Sequence, residues 1–405
     1  MKREIHIAGQ PENKIGLEKL RVGVLGMGFM GGTHTQAWQR GKATFNWPID
    51  VELVALFDTD EDTRDLHANR FDFQRVTGDW REVCEADDID VVSICTPNFT
   101  HWEMAEAAAK SGKHIWCEKP MATSMADARA MVSVAQEYGV KTMLGYNYMK
   151  SPSLLAIKDL IASGRIGEIT HFNGIYLEDF MCDPNVPHSW RLTKKGGGKG
   201  ALGDMGSHLI SMAIWLCGPF KEVVSRLQTI HTERPDSSTG EMRQVETDDQ
   251  FSALGTFESG ALFTMHTSWL GQGHKMNLGF EITGTKGAIK FDQERMGEFQ
   301  LFEMDGNSEI STNGYKTVLI GPYHPFFGNF CPAPGHHVGF NEMKMIDKLY
   351  FNPTARLITQ RPEFFIALTT MVIGTQFFVA GFLGEIILQS RSNTERYHIS
   401  EETKA

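Results

Sequence analysis

The chain lacks the features that would assign it to several specialised classes of protein. Its 6 cysteines among 405 residues are widely spaced and form no C-x-x-C pair, so we predict no metal site and buried, reduced thiols. Acidic residues outnumber basic ones, and the formal net charge of -11 argues against the basic face that a nucleic-acid partner requires. The first 20 residues lack the apolar stretch of a secretory signal, so we expect a loose leader over residues 1–20.

A glycine-rich turn follows the first strongly apolar run, residues 21–25, which is typical of a buried parallel strand. The turn has the spacing G-x-G-x-x-G, which allows a tight bend and a close approach of the backbone to a pyrophosphate at the start of a helix. The residues expected to contact this cofactor are Gly26, Gly28, Phe29, Met30 and Gly31. The turn therefore predicts a dinucleotide site.

An acidic residue ends the second predicted strand, residues 51–57. The carboxylate of Asp58 can accept hydrogen bonds from ribose hydroxyls and would repel a 2′-phosphate, so NAD is favoured over NADP. The polar stretch Gly41–Asp50 makes the spacing from the glycines longer than usual, and we interpret it as a loop insertion.

Two further predicted strands, residues 91–95 and 114–117, also lead into polar residues, and a helix is predicted from about His101 to Lys110. Ligands of open parallel sheets lie beyond the carboxyl ends of the strands. The residues expected at the edge of the cofactor are Thr96, Pro97, Asn98, His101 and Glu118, with Lys119 beside them.

Several motifs, in this order, resemble the glucose–fructose oxidoreductase, inositol dehydrogenase and MocA family over about residues 21–350. They are the glycine turn with His34, Thr96-Pro97-Asn98, Glu118-Lys119-Pro120, Gly145-Tyr146-Asn147, the glycine-flanked element Gly200–His208 and the hairpin Glu281–Asp292. The resemblance implies an α/β protein with an NAD-binding Rossmann domain, a doubly wound parallel sheet, over residues 21–148. An α+β substrate domain with a mostly antiparallel sheet is implied over residues 149–352. It also implies a cytoplasmic homo-oligomer, a dimer or tetramer.

The same resemblance implies a catalytic group of Lys119, Asp204 and His208. Oxidation of a secondary alcohol needs a base, and a neutral histidine titrating near physiological pH suits that task. Lys119 can hydrogen-bond a developing alkoxide, and Asp204, four residues before His208, would lie on the same face of a helix. The remaining residues expected to bind substrate are Tyr146, Asn147, Trp190 and Arg191.

The loop over residues 179–191 is expected either to wall the substrate pocket or to be an ordinary surface loop. Lys194, Lys195 and Lys199, in the glycine-rich stretch after it, are expected either to bind an anionic substituent or to face water.

The end of the chain, residues 353–405, departs from this family. Residues 364–384 contain no charge over 21 positions, enough to span a bilayer. This tail resembles the last membrane helix of polyprenyl-phosphate glycosyltransferases. We expect it either to associate with a membrane or to fold back as a buried helix, while the catalytic part stays in the cytosol.

The function predicted from these motifs is NAD-dependent hydride transfer to or from a secondary hydroxyl of a sugar, sugar derivative or cyclitol. Two alternatives remain. One is a glycosidase that uses NAD transiently, by ring oxidation and elimination. The other is a nucleotide-binding scaffold that has lost its chemistry, against which the joint presence of Lys119, Asp204 and His208 argues.

Overall fold

The computed structural model describes residues 18–304 and 313–331. Its first layer is a six-stranded parallel sheet with the order β3-β2-β1-β4-β5-β6. The strands are β1 Lys19–Leu25, β2 Asp50–Phe57, β3 Arg75–Thr77, β4 Val91–Ile94, β5 His114–Cys117 and β6 Thr142–Leu144. The helices of this part are α1 Phe29–Phe45, α2 Glu61–Phe71, α3 Arg81–Cys84, α4 His101–Lys110 and α5 Met125–Glu137. This strand order is that of a doubly wound dinucleotide-binding sheet, as predicted.

Local sequence explains where two of these helices begin. Asp60 and Ser124 accept backbone N–H bonds at the starts of α2 and α5, which satisfies donors that a helix terminus otherwise leaves unpaired. The interpretation of Gly41–Asp50 as a loop insertion is wrong in part, because α1 continues to Phe45. The extra residues between the glycine turn and Asp58 therefore lengthen a helix as well as a loop.

The second layer is an eight-stranded sheet with the order β16-β15-β14-β13-β7-β12-β11-β8. Its strands are β7 Ile169–Leu177, β8 Phe220–Gln228, β11 Gln250–Phe257, β12 Leu262–Ser268, β13 Asn277–Gly284, β14 Gly287–Asp292, β15 Glu298–Glu303 and β16 Lys316–Leu319. All neighbouring strands pair antiparallel except β7 and β12, which are parallel. The mostly antiparallel sheet of the prediction is confirmed.

Three helices and a small hairpin complete the described fold: α6 Pro152–Ala162, α7 Ser207–Cys217 and α8 Phe327–Phe330, with β9 Glu233–Pro235 paired to β10 Met242–Gln244. One face of the large sheet is buried with α6 and α7 in a core that includes Phe172, Leu209 and Trp269. The other face is open, and strand β8 is exposed along almost its whole length. The alternation of the sequence reflects these two faces.

Within residues 18–304 and 313–331, no helix is both long and apolar enough to cross a membrane. The apolar segment 364–384 and nearly all of the predicted leader lie outside the described residues. Their predicted roles therefore stay predictions.

Candidate active site

The glycine turn lies between β1 and α1, next to β4, where the strand order of the parallel sheet reverses. Gly26 has φ +84, a backbone conformation that residues with a side chain rarely adopt. A Cβ on Gly31 would lie 2.0 Å from the Gly26 carbonyl oxygen. A Cβ on Gly28 would meet nothing within 4 Å, so the turn is open at that point. This cradle at the N-terminus of α1 fits a pyrophosphate.

A groove runs from this turn toward the second domain. Its lining includes Gly26, Gly28, Phe29, Met30, Asp58, Thr96, Pro97, Asn98, Glu118, Lys119, Trp190 and Arg191. The predicted cofactor residues are therefore brought together, with two exceptions. Gly31 is buried in the turn and acts through packing. His101 is fully buried below the groove.

The carboxylate of Asp58 has a task in the protein itself. It accepts a hydrogen bond from the Met27 backbone N–H at 2.7 Å, so it also fixes the glycine turn. Arg64, which the sequence did not single out, donates to the Asp58 carbonyl oxygen at 2.8 Å. Asp58 lines the groove in a position suited to ribose, and that contact stays a prediction.

His101 supports the cofactor loops from below. Its ring nitrogens lie 2.9 Å from the Thr96 carbonyl oxygen and 3.1 Å from that of Pro120. Burial lowers the pKa of this histidine. Because the side chain is enclosed, the predicted direct contact with the cofactor is corrected to a supporting role.

Glu118 directly follows the last residue of β5 and is also buried. Its Oε1 lies 2.9 Å from Nε2 of His34, whose ring stacks on Trp116 with centroids 3.6 Å apart. Its other oxygen accepts the Lys119 backbone N–H at 3.2 Å. A Cβ at Gly145 would come within 2.2 Å of the carboxylate, which explains the glycine at that position.

Lys119 and Asp204 form an ion pair between the two domains. Lys119 Nζ donates to Asp204 Oδ1 at 2.7 Å and to the Asp204 carbonyl oxygen at 2.8 Å. Burial by itself would raise the pKa of Asp204, but Lys119, Arg191 and His208 outweigh it, and the pKa lies below the usual value. Asp204 is therefore a carboxylate that holds the lysine in place.

His208 lies one turn further along the chain, in α7. The predicted helix begins with a π-helical turn, Leu202–Gly206, and both Asp204 and His208 line the same cavity. The His208 ring stacks on Tyr148 with centroids 4.3 Å apart, and Tyr146 and Tyr176 approach it edge-on. Burial, and then the Lys119 cation, lower the pKa of His208 to about 3, so the imidazole is neutral at physiological pH. The expectation that this histidine titrates near physiological pH is therefore wrong.

The cavity that these groups share measures about 690 Å³ and also contains Phe29 and Met30 of the glycine turn. Cavities of this size accommodate small organic ligands. A proton acceptor, an ammonium group and a dinucleotide cradle thus meet in one cleft, which is the arrangement that hydride transfer from an alcohol requires.

Comparison with known proteins agrees with this geometry. Family profiles described as "Oxidoreductase family, NAD-binding Rossmann fold" and "GFO/IDH/MocA C-terminal domain" match residues 20–146 and 154–290. Levoglucosan dehydrogenase of Pseudarthrobacter phenanthrenivorans is 36% identical over 346 residues, which cover 82% of this chain and 88% of that protein. The chain belongs to the GFO/IDH/MocA oxidoreductase family.

Other members give the same assignment. Inositol 2-dehydrogenase of Rhizobium meliloti is 28% identical over 287 residues, 71% of this chain and 80% of that protein. A solved structure titled levoglucosan dehydrogenase in complex with NADH and levoglucosan superposes with a TM-score of 0.75 at 36% identity, covering 81% of this chain and 88% of that one. The prediction of an NAD-dependent oxidoreductase acting on sugar or cyclitol hydroxyls is confirmed.

The predicted substrate residues of this family member are divided between two parts of the cleft. Asn147 and Arg191 line the cavity, whereas Trp190 lines the cofactor groove and Tyr146 lies outside the cavity lining, edge-on to His208. Arg191 stacks on Trp190 with 4.4 Å from its guanidinium carbon to the ring centroid, and its Nε lies 3.9 Å from Asp204. The loop over residues 179–191 does wall the cavity, through Phe180, Met181, Val186, Pro187 and Ser189.

Sequence reasoning missed several residues of the cavity. These are Tyr148, Tyr176, Glu178, Trp269 and Met276. Tyr176 and Glu178 flank the end of β7, and period-two alternation could have assigned Tyr176 to the buried face. No motif signals the others. Lys194, Lys195 and Lys199 are exposed and lie outside the cavity lining, but Lys199 lines the adjoining cofactor groove, so the anion-binding role considered for these lysines stays a prediction.

Proposed function

We propose that this enzyme oxidises a secondary hydroxyl of an uncharged cyclic sugar or anhydro sugar, with Lys119, Asp204 and His208 as its catalytic group. The observation that carries the proposal is the Lys119–Asp204 ion pair of 2.7 Å beside a buried, neutral His208, in a cavity that opens on the glycine turn. The name of the relative from Pseudarthrobacter makes levoglucosan the first substrate to test.

Each catalytic side chain has a separate task. When bound in the groove, NAD supplies the acceptor for the hydride. His208 is neutral, so it can accept the hydroxyl proton of the substrate, and its tyrosine contacts hold the ring in one orientation. Lys119 donates a hydrogen bond to the oxygen on which negative charge develops. Asp204 holds Lys119 in position.

The experiment is a screen of the purified protein for NAD reduction with levoglucosan, other neutral sugars, inositols and anionic sugars. NADH accumulation with a neutral ring alcohol supports the proposal. Cleavage of a glycoside without net NADH would favour the glycosidase alternative instead. If NAD binds but no substrate turns over, the scaffold alternative is favoured.

The oligomer and the cellular location are further parts of the proposal. Exposed apolar residues on the open sheet face, Val224, Leu254 and Leu262, support a homo-oligomer formed through that face. Light scattering on a Val224→Lys variant tests this, with Leu66→Lys, an exposed apolar position on α2, as the control. A monomeric Val224→Lys variant beside an oligomeric control is the expected result.

The tail prediction needs a different experiment. Neither family match extends beyond residue 290, so the matches leave residues 364–384 without an assignment. Cell fractionation of the full chain and of a chain truncated after Tyr350 distinguishes a membrane anchor from a folded segment. Membrane recovery of the full chain alone would support an anchor, and recovery of both in the soluble, cytoplasmic fraction would support a folded segment.

A further inference from the structure

Glu178 is a carboxyl group of the cavity that the proposed catalytic group does not use. It follows β7 directly, and its backbone is fixed at both sides, since its N–H donates to Ser268 O at 3.1 Å and its carbonyl accepts Gly271 N–H at 2.7 Å. The side chain is half-buried and lines the cavity that contains Lys119, Asp204 and His208. Its position is therefore set by the sheet and not by a mobile loop.

The surroundings of Glu178 contain acids and hydroxyls. Tyr176 and Tyr148 line the same cavity, and their hydroxyl groups donate to Met276 Sδ at 3.6 Å and 3.9 Å. Burial and the neighbouring Asp204 raise the pKa of Glu178, which Tyr176 and Lys119 partly oppose. Within the described part of the chain, Glu178 forms no ion pair, and it lines the cavity in which a substrate would bind.

The cations near the cavity are already engaged. Lys119 is bound by Asp204, and the guanidinium of Arg191 lies against Trp190 and within 3.9 Å of Asp204. Lys194 and Lys195 lie outside the cavity lining, and Lys199 lines the cofactor groove but not the cavity. An anionic substituent would therefore meet three carboxyl groups, Glu118, Glu178 and Asp204, with no free cation among the lining residues to compensate.

We propose that Glu178 is a specificity-determining residue, which accepts a hydrogen bond from a substrate hydroxyl and excludes sugars that carry a carboxylate or phosphate. The inference rests on the proposed function, since it concerns the same cavity. It assigns the substrate class as polyhydroxylated rings without net charge. Carboxylate acceptors are common partners of sugar hydroxyls because a charged acceptor forms the stronger hydrogen bond.

The test compares neutral and anionic sugars on the Glu178→Gln variant, which keeps the shape of the side chain and removes its charge. The affinities of D-glucose, D-glucuronate and D-glucose 6-phosphate for the enzyme–NADH complex are measured by NMR titration, so the readout does not depend on turnover. Asp179→Asn is the matched control, because Asp179 is the next carboxylate along the chain and pairs with Lys275 at 2.6 Å outside the cavity lining.

The wild-type protein is expected to favour glucose over both anions by at least about tenfold, and Glu178→Gln to reduce that preference by roughly tenfold. Asp179→Asn should leave it unchanged. A preference that Glu178→Gln does not alter, or a wild-type preference for the anions, would overturn the inference. A purely structural role for Glu178 would weaken all three sugars equally. Failure of the proposed function is seen separately, as an absence of NADH formation with every neutral sugar of the screen.

Discussion

The nucleotide groove and the substrate cavity meet at Lys119 and Asp204, yet they are built from different parts of the chain. The groove owes its shape to backbone: a turn in which Gly26 and Gly31 allow close approach, and strand ends of a parallel sheet. The cavity owes its shape to side chains from the second sheet and α7, several of them buried and titratable. Backbone recognition suits a cofactor that is common to a family, whereas side chains can vary with the substrate.

This difference implies that the two functions can be damaged separately. A change to a cavity side chain should affect turnover and substrate choice but leave NAD bound. A change that displaces the glycine turn should affect NAD first. Because Lys119 and Asp204 line both the groove and the cavity, they are the positions at which the separation is expected to fail.

The largest effect is expected from His208→Ala. Without an acceptor for the hydroxyl proton, kcat should fall by roughly a hundredfold or more, while the affinity for NAD stays close to that of the wild type. Steady-state kinetics and fluorescence titration with NADH measure the two quantities. His114→Ala is the control, since His114 begins β5, at the end of that strand away from Lys119, and lines neither the groove nor the cavity. Retained activity in His208→Ala would remove this residue from the mechanism.

A smaller effect, on the affinity for NAD instead of on kcat, is expected from Gly31→Ala. The added methyl group would lie 2.0 Å from the Gly26 carbonyl oxygen, so the turn must shift and the affinity for NAD should fall by about tenfold or more. Gly32→Ala is a matched control in the same helix, because a Cβ there meets nothing within 4 Å. Equal NAD affinity in the two variants would contradict the account of the turn.

The same contrast explains what could be predicted from the sequence. The strand His114–Cys117 and the helix His101–Lys110 have the predicted bounds, since each is a run with a clear period between polar ends. Lys119, Asp204 and His208 were found because short motifs carry them, and they do lie together. The prediction ended helix α1 too early, because Gly41 and the polar residues after it favour a loop in isolation, whereas the tertiary structure keeps residues up to Phe45 helical.

The cavity residues that were not predicted owe their position to long-range contacts and not to a local motif. Tyr148, Glu178 and Met276 come from three separate segments. Glu178 and Met276 meet because the strand order pairs β7 with β13, and Leu177 lies opposite Asn277. That strand order depends on long-range pairing, which no local pattern encodes. His101 was assigned to the cofactor because it follows a strand end, but the helix that it begins turns its ring inward.

The smallest effect concerns pH. An ordinary histidine titrates near pH 6.5, whereas burial and Lys119 lower the pKa of His208 to about 3, so its neutral form persists as the pH falls. Titration of His208 should therefore cause no loss of kcat/KM between about pH 8 and pH 6. NMR titration of the ring in the wild type and in Lys119→Met checks the cause directly, because removal of the cation should move the pKa upward. A wild-type pKa near 6.5 that Lys119→Met leaves unchanged would mean that the cavity does not set the pKa of His208. The contrast between a groove built from backbone and a cavity tuned by electrostatics would then lose its main support.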